Sequence, residues 1–423
     1  MDAWAAALES TIPHLFARNA AEFAEHPALT DGPRHWTWRQ AREDALVLAA
    51  GLAALGLQRG QTMLIAMSDR AEHWLADTAA AHLGAVSSTV HPALGPEQVR
   101  QFAQHCRARV VVLEGTAEVH RWYAALRAVT SIDHVVVLDE LAVPSGDRRF
   151  RSWKALRHNG ARLLREDSDV VERHWRAVRP EHPAAIVHTH RDGGEPRGVV
   201  LTHRNVCSAA AAVHHIARAE PGSARLCYLP LAHIAERMST LYSALHDVAH
   251  VHFCGERRQL AEALVRCRPA VFFGDSQVWE ELASGIRCSR RPTARTRERL
   301  RARVGLDRTT WSACGAPPVK PRVRELFASL GVEIAELWGM PETTGCVTAH
   351  RAGRPGGEPL PGAEVRIAAD GEVLVRGPLV CAGYLQPDGV VRSAADADGW
   401  LPTGDLGSVD AEGRLTVTGR KPA

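Results

Sequence analysis

The chain has 423 residues, 45% of them hydrophobic and 23% charged, with a formal net charge of +3. That length suits two to three average domains, and the balance excludes disordered, collagen-like and miniprotein classes. So small a net charge offers no field for nucleic acid, and no nucleic-acid partner is expected.

The longest apolar run, Ala45–Leu57, falls short of the about 20 residues that a membrane span needs. The opening MDAWAAALESTIPHLF carries Asp2 and Glu9 and no basic stretch, so no secretory leader is expected. The 9 cysteines are scattered and form no CxxC pair. Neither a disulfide framework nor a zinc ribbon is expected, and a reducing cytoplasm is the expected compartment. Lys154, Lys320 and Lys421 are the only lysines, so positive charge is almost entirely arginine.

In chain order, residues 37–57 place Ala, Leu and Val at helical spacing behind Thr37 as N-cap. TMLIAM (62–67) reads as a buried strand and 71–83 as the next helix. A Pro-Gly-Pro turn leads into a helix from Gln98. RVVVLEG (109–115) and HVVVLDE (134–140) are apolar runs of central parallel strands. The polar, arginine-rich stretch 141–180 reads as surface connection. A second block follows over about 181–350, with strands at 184–189, 270–275 and 332–337. Beyond about 355, EVRIAADGEVLVRG alternates apolar and polar around Asp370-Gly371, a hairpin signal, and RLTVTG repeats the pattern. This strand–helix alternation predicts a doubly wound α/β fold with a small β subdomain at the end.

Four segments carry chemistry. HTHRDGGEPRGVVLTHRN (188–205) runs from a strand into a glycine-containing loop, suited to phosphate or to a plain turn; the Walker pattern is absent. LPLAHIAER (229–237) sets His233 beside Glu236 and Arg237, read either as part of a pocket or as a helix start with a solvated ion pair. SACGAPP (312–318) and ELWGMPETTG (336–345) each follow a strand end, where open α/β sheets place ligands. There Glu342 is a Mg²⁺ ligand or a surface carboxylate. Asp405, in a Thr-Gly-Asp turn, is suited to two sugar hydroxyls or is a turn former, and Arg420 follows in Gly-Arg-Lys. The pairs His188/His190 and His214/His215 have no acid or Cys beside them in sequence, so no zinc site is expected. No GxSxG elbow anchors an esterase triad.

In this order the segments, together with GEPLPGAEVRI (357–367) and GEVLVRGPLVCAGYL (371–385), resemble the adenylate-forming superfamily over nearly the whole chain. LPLAHIAER and WGMPETTG are most similar to its long-chain acyl-CoA synthetase branch. The resemblance implies that a carboxylate attacks the α-phosphate of ATP to give an acyl-adenylate, and that coenzyme A then displaces AMP. It implies that Gly315, Ala316 and Pro317 border the adenine and acyl group, and that Trp338 and Gly339 belong to the AMP site. Asp405 and Arg420 would hold the ribose. Glu342 would bind Mg²⁺, and His233 would lie at the acyl carboxyl. The implied organisation is an α/β subdomain over 1–180 and a second over 181–350 with the phosphate loop and the acyl and AMP site. A β subdomain over 351–420 follows, and 421–423 begins the hinge to a small mobile C-terminal domain that this chain does not contain.

Two positions depart from the family pattern. The phosphate loop, approximately [ST]SG[ST]TGxPKG, is here Thr189, His190, Arg191, Asp192, Gly193, Gly194, Glu195, Pro196, Arg197 and Gly198. A glycine is lost, and Asp192 brings a carboxylate toward the polyphosphate. Like charges about 4 Å apart at an effective dielectric near 20 cost roughly 4 kcal/mol, about three decades in affinity. Arg191 and Arg197 offset part of that. Pro341 replaces the Ser/Thr before Glu342 and offers no donor. ATP binding is therefore doubtful while the AMP-sugar contacts persist. The expected function is acyl transfer from a preformed acyl-adenylate to coenzyme A, with a separate adenylating enzyme as supplier. Non-adenylating ligases of platensimycin-type diterpenoid biosynthesis are similar in this respect. The alternatives are an ordinary ATP-dependent long-chain acyl-CoA synthetase and a non-catalytic adenylate-binding protein.

Overall fold

Thr37 ends an extended segment and starts a helix over Trp38–Ala54, because its hydroxyl accepts from the Gln40 N–H while Gln40 caps back. The computed structural model of the protein describes residues 3–189, 197–286, 292–350 and 356–422. Among them the strands form four sheets. The largest has nine strands. Five of its strands run parallel, ending at the edge: Val86–Thr89, Thr62–Ala66, Val110–Leu113, His134–Val137 and Phe150–Ser152. Thr62–Ala66, Val110–Leu113 and His134–Val137 are mostly apolar because helices cover both faces.

Strand Pro183–Thr189, read from sequence as the start of the second block, lies in this first sheet beside Val86–Thr89. Arg197–Thr202 then turns back antiparallel to it, and Gly383–Leu385 and Val391–Arg392 complete that edge. Local apolar spacing shows a strand but not its partner, and pairing between distant segments decides the sheet. Val271–Phe273, Trp311–Cys314 and Ile334–Trp338 form a parallel core in a second sheet, extended by Thr348–His350 and Glu358–Pro359. A third sheet joins Pro27–Asp31 and Arg34–Thr37 to Ala224–Cys227 and His250–Phe253. The fourth is the predicted antiparallel end: Glu364–Ile367, Glu372–Arg376, Leu401–Val409 and Leu415–Arg420.

The stretch 141–180 is more than surface connection. It supplies the edge strand Phe150–Ser152 and helices Trp153–Glu166 and Val170–Arg176. Its arginines lie outward, while Trp153, Leu156 and Gly160 are buried. Gly160 sits so close to helix Trp38–Ala54 that an added Cβ would lie 1.9 Å from the Val47 carbonyl oxygen. Thr202 caps helix His203–Ala217, and the Asn205 amide donates to the carbonyls of Pro378 and Val380 at 2.7 and 2.8 Å. That bond ties the chain after the loop to the chain beyond 377. Among the described residues no helix is long and apolar enough to cross a membrane.

Candidate active site

The segment after strand Ala224–Cys227 turns at Leu229–Leu231, is N-capped by His233 at 3.2 Å to the Ala235 N–H, and continues as a π-helix over Arg237–Tyr242. Such bulged helices gather at functional sites because they re-aim side chains. Glu236 and Arg237 do not form a solvated ion pair. Each is 2% exposed, and each has its own partners. Arg237 pairs with Asp77 at 2.8 Å and donates to the Tyr242 hydroxyl. Glu236 accepts from the Leu229 N–H at 3.0 Å and the Thr240 hydroxyl at 2.8 Å.

Asp69 accepts from the Leu231 N–H at 2.9 Å, so a half-buried and a buried carboxyl hold the Leu229–Leu231 turn. Burial pushes Asp69 up to about 7; for Glu236, burial and then the nearby Asp69 charge push it up to about 8. Burial also lowers His233, which favours its neutral imidazole. Asp69 escaped the sequence reading. An isolated Asp after a strand is usually a turn residue, and only the fold sets it against this loop.

His233 faces a cavity of 440 Å³, of the size that small-molecule ligands occupy. Much of its lining is apolar, with Val213, Met238, Phe273, Leu337 and Trp311 among it. Gly315, Ala316, Trp338 and Gly339 line it too; Pro317 follows Ala316 across a cis peptide bond and is outside the lining. A second cleft, also 440 Å³, is lined by Thr189, Arg197, Glu342, Tyr384, Thr403 and Arg420. Met340 and Pro341 line both, so the two spaces adjoin across them.

In this region the Asp405 carboxylate accepts from the Trp338 indole N–H at 2.9 Å and from Arg420 at 2.6 Å. That rules out a plain turn former. Trp338 and Arg420, 67 and 15 residues away in sequence, thus meet at Asp405. Thr403–Asp405 lies within strand Leu401–Val409 and not in the expected turn, and it is held from behind. Glu372 accepts from the Gly404 N–H at 2.8 Å, and Lys421, at the expected hinge, binds Glu372 and Asp370 at 2.8 and 2.6 Å.

Glu342 accepts from the Tyr384 hydroxyl at 2.9 Å, and Arg197 lies over the Tyr384 ring at 5.3 Å. Tyr384 stands inside a motif read from the sequence, yet its role was not legible there, because nothing local pairs it with Glu342. Neither hydroxyl after Glu342 substitutes for the one missing at Pro341. Thr343 binds the Met340 backbone at 3.0 Å, and Thr344 donates to the Leu379 carbonyl at 2.7 Å. His190, Arg191, Asp192, Gly193, Gly194, Glu195 and Pro196 lie outside the described residues; Thr189, Arg197 and Gly198 of the loop positions named above are placed.

The sequence pairs of histidines dissolve in the fold. His214 joins His246 on Asp247, and His188 joins His105 and Cys106, partners far away in sequence.

The family model for AMP-binding enzymes matches residues 16–385. A protein of Mycobacterium tuberculosis named as fatty-acid–CoA ligase fadD11 is 34% identical over 292 residues, 58% of this chain and 51% of that protein. Long-chain-fatty-acid–CoA ligase ACSBG2 of Xenopus laevis is 24% identical over 472 aligned positions, 97% of this chain and 63% of that protein. The chain thus spans between half and two-thirds of these relatives. The inhibitor-bound N-terminal domain of FACL13 from Mycobacterium tuberculosis has the same fold, with a TM-score of 0.78 at 20% identity over 97% of this chain and 99% of that one. With the motifs gathered around a pair of adjoining cavities, and a family model covering most of its length, the chain belongs to the AMP-binding enzymes, the adenylate-forming superfamily.

Proposed function

We propose that this chain is the adenylate-binding part of an acyl-CoA ligase, and that it is better suited to hold an acyl-adenylate than to make one from ATP. The two adjoining cavities carry the reading. An acyl group fits the apolar cavity beside His233, the mixed anhydride falls at the Met340–Pro341 neck, and the nucleoside reaches Trp338 and Asp405. An ionised carboxylate has about four lone-pair sites. Two of Asp405's are used by Trp338 and Arg420, which leaves acceptors for ribose hydroxyls.

Glu342 fits a Mg²⁺ ion that takes its remaining ligands from water and phosphate, since its other oxygen is not engaged by Tyr384. Such an ion supplies charge to the phosphates when bound. Acyl transfer then joins the coenzyme A sulfur to the acyl carbon as the bond from that carbon to the phosphate oxygen breaks, releasing AMP, with the thiol proton passing to solvent. The chain's part is to position the anhydride and keep the acyl end dry.

Two observations support weak adenylation. Pro341 leaves no side-chain donor before Glu342, and Thr343 and Thr344 are committed to backbone carbonyls. The loop sequence adds Asp192 where phosphate charge would fall. A separate adenylating enzyme would then supply the substrate. An ordinary ATP-dependent long-chain acyl-CoA synthetase is the second reading, favoured by Arg197, which lines the cleft with its positive charge.

ATP–pyrophosphate exchange across fatty, aryl and terpenoid acids separates the two. Exchange near background with every acid, alongside retained binding of a non-hydrolysable acyl-adenylate, is expected. Brisk exchange with any acid returns the protein to the second reading.

A further inference from the structure

The Cys106 thiol, at the end of helix Pro96–His105, faces two imidazoles: His105 beside it and His188 on strand Pro183–Thr189. His188 Nε2 stands 3.4 Å from His105 Nδ1 and 3.6 Å from Cys106 Sγ, and the three ligand atoms lie within 4.8 Å of one another. A tetrahedral zinc ion with Zn–N near 2.0–2.1 Å and Zn–S near 2.3 Å sets its ligands about 3.3 Å (N···N) and about 3.6 Å (N···S) apart.

The outer nitrogens fix which lone pairs face inward. His105 Nε2 lies 3.1 Å from the Leu385 carbonyl, which only accepts, so this nitrogen carries the proton and Nδ1 presents a lone pair. The Ser88 hydroxyl gives its proton to the Ile186 carbonyl at 2.7 Å, which leaves its oxygen to accept from His188 Nδ1 at 3.4 Å. In that tautomer His188 Nε2 presents a lone pair; in the other it donates to His105 Nδ1 at 3.4 Å, and metal binding selects the first. Two nitrogen lone pairs and a thiol converge, each imidazole backed by an oxygen acceptor, which is the outer arrangement of metal-bound histidines.

Room has been left for the rings. On strand Arg197–Thr202, a Cβ at Gly198 would lie 3.1 Å from His105 Cε1 and 3.2 Å from His188 Nε2. Phe102 packs on the far side of His188, ring centroids 3.8 Å apart.

We propose that His105, Cys106 and His188 bind one thiophilic divalent metal ion, zinc foremost, with a solvent ligand completing the tetrahedron. Uptake releases the Cys106 proton to solvent as the S–metal bond forms, with no change of oxidation state. The ion clamps the end of helix Pro96–His105 to strand Pro183–Thr189, and since His188 also lines the acyl cavity, it fixes one wall of that cavity. The second histidine cluster does not compete. His214 and His246 both bond to one Asp247 oxygen, at 2.8 and 2.9 Å, while Arg225 neutralises the other.

The test is titration of the chelator-treated 423-residue chain with Co²⁺, followed by Zn²⁺ competition. One equivalent of Co²⁺ giving a thiolate charge-transfer band and the intense visible bands of a tetrahedral ion, displaced by Zn²⁺, is expected. Cys106→Ser loses the charge-transfer band, and His188→Gln binds at least about tenfold more weakly. Ser88→Ala keeps all three ligands and weakens Zn²⁺ by about tenfold through the outer shell. His214→Gln binds as the parent does. Melting curves of the metal-free variants establish that each is folded, and Ser88→Ala carries the test should a ligand variant not fold. Weak six-coordinate cobalt without a thiolate band, or binding unchanged in both Cys106→Ser and Ser88→Ala, overturns the proposal.

Discussion

The Asp405 carboxylate meets an indole N–H and a guanidinium, one from a parallel sheet and one from the antiparallel end of the chain. Removing it should weaken a non-hydrolysable acyl-adenylate roughly tenfold to a hundredfold, since hydrogen bonds to a charged group contribute about 1.5–3 kcal/mol. Calorimetric titration of Asp405→Ala checks this; unchanged affinity would place the ribose elsewhere. Pro341 is the complementary case. Pro341→Thr restores a hydroxyl at the neck, and ATP–pyrophosphate exchange should rise above the parent's background. No gain from that substitution alone puts the weight on the loop, and replacing His190, Arg191 and Asp192 by Ser, Gly and Thr should then raise ATP affinity. The positions of Trp338, Glu342 and Asp405 in their motifs were legible from the sequence. Their bonding was not, because Trp338–Asp405 and Glu342–Tyr384 span 67 and 42 residues.

At the scale of elements, the Leu229–Leu231 turn rests on two carboxyls held above the ordinary carboxylate range. The folded state binds their protons up to about pH 7 for Asp69 and about pH 8 for Glu236, whereas the unfolded chain releases them near 3.8 and 4.5. Between those limits the native state holds more protons, so stability falls as pH rises. His73, His82, His203, His250 and His252, held at about 3 to 4 by burial, work the other way up to about pH 6.5, so the drop in melting temperature should appear from about pH 7 to about pH 8, and Glu236→Gln should flatten it. An unchanged slope in the variant would show that Glu236 is ionised in the fold.

The helix pair Trp38–Ala54 and Trp153–Glu166 makes a second prediction. Gly160→Ala forces a Cβ onto the Val47 carbonyl, and overpacking of this kind costs about 1–3 kcal/mol. A denaturant midpoint equal to the parent's would mean that the helices separate freely. Helix Trp38–Ala54 was readable from its cap and periodicity. Helix Trp153–Glu166 was hidden because arginines on its outer face dominate the composition while a few residues, Trp153, Leu156 and Gly160, make the buried stripe.

For the whole molecule, the α/β class and the β end followed from alternation and from the Asp370-Gly371 hairpin, but the sheet order did not. Strand Pro183–Thr189 joins a sheet built mostly from residues before 152, and Gly383–Leu385 returns to it from the far end of the chain. The same long-range closure brings the acyl cavity and the nucleotide cleft together at Met340–Pro341. The most direct test of that arrangement, with its preference for a finished adenylate over ATP, is a paired titration of the chain. One arm uses an acyl-sulfamoyl adenosine and the other uses ATP with Mg²⁺. The account predicts that the adenylate analogue binds tighter by about three decades, the scale set by one unfavourable charge near the polyphosphate. ATP binding as tight as the analogue would contradict it.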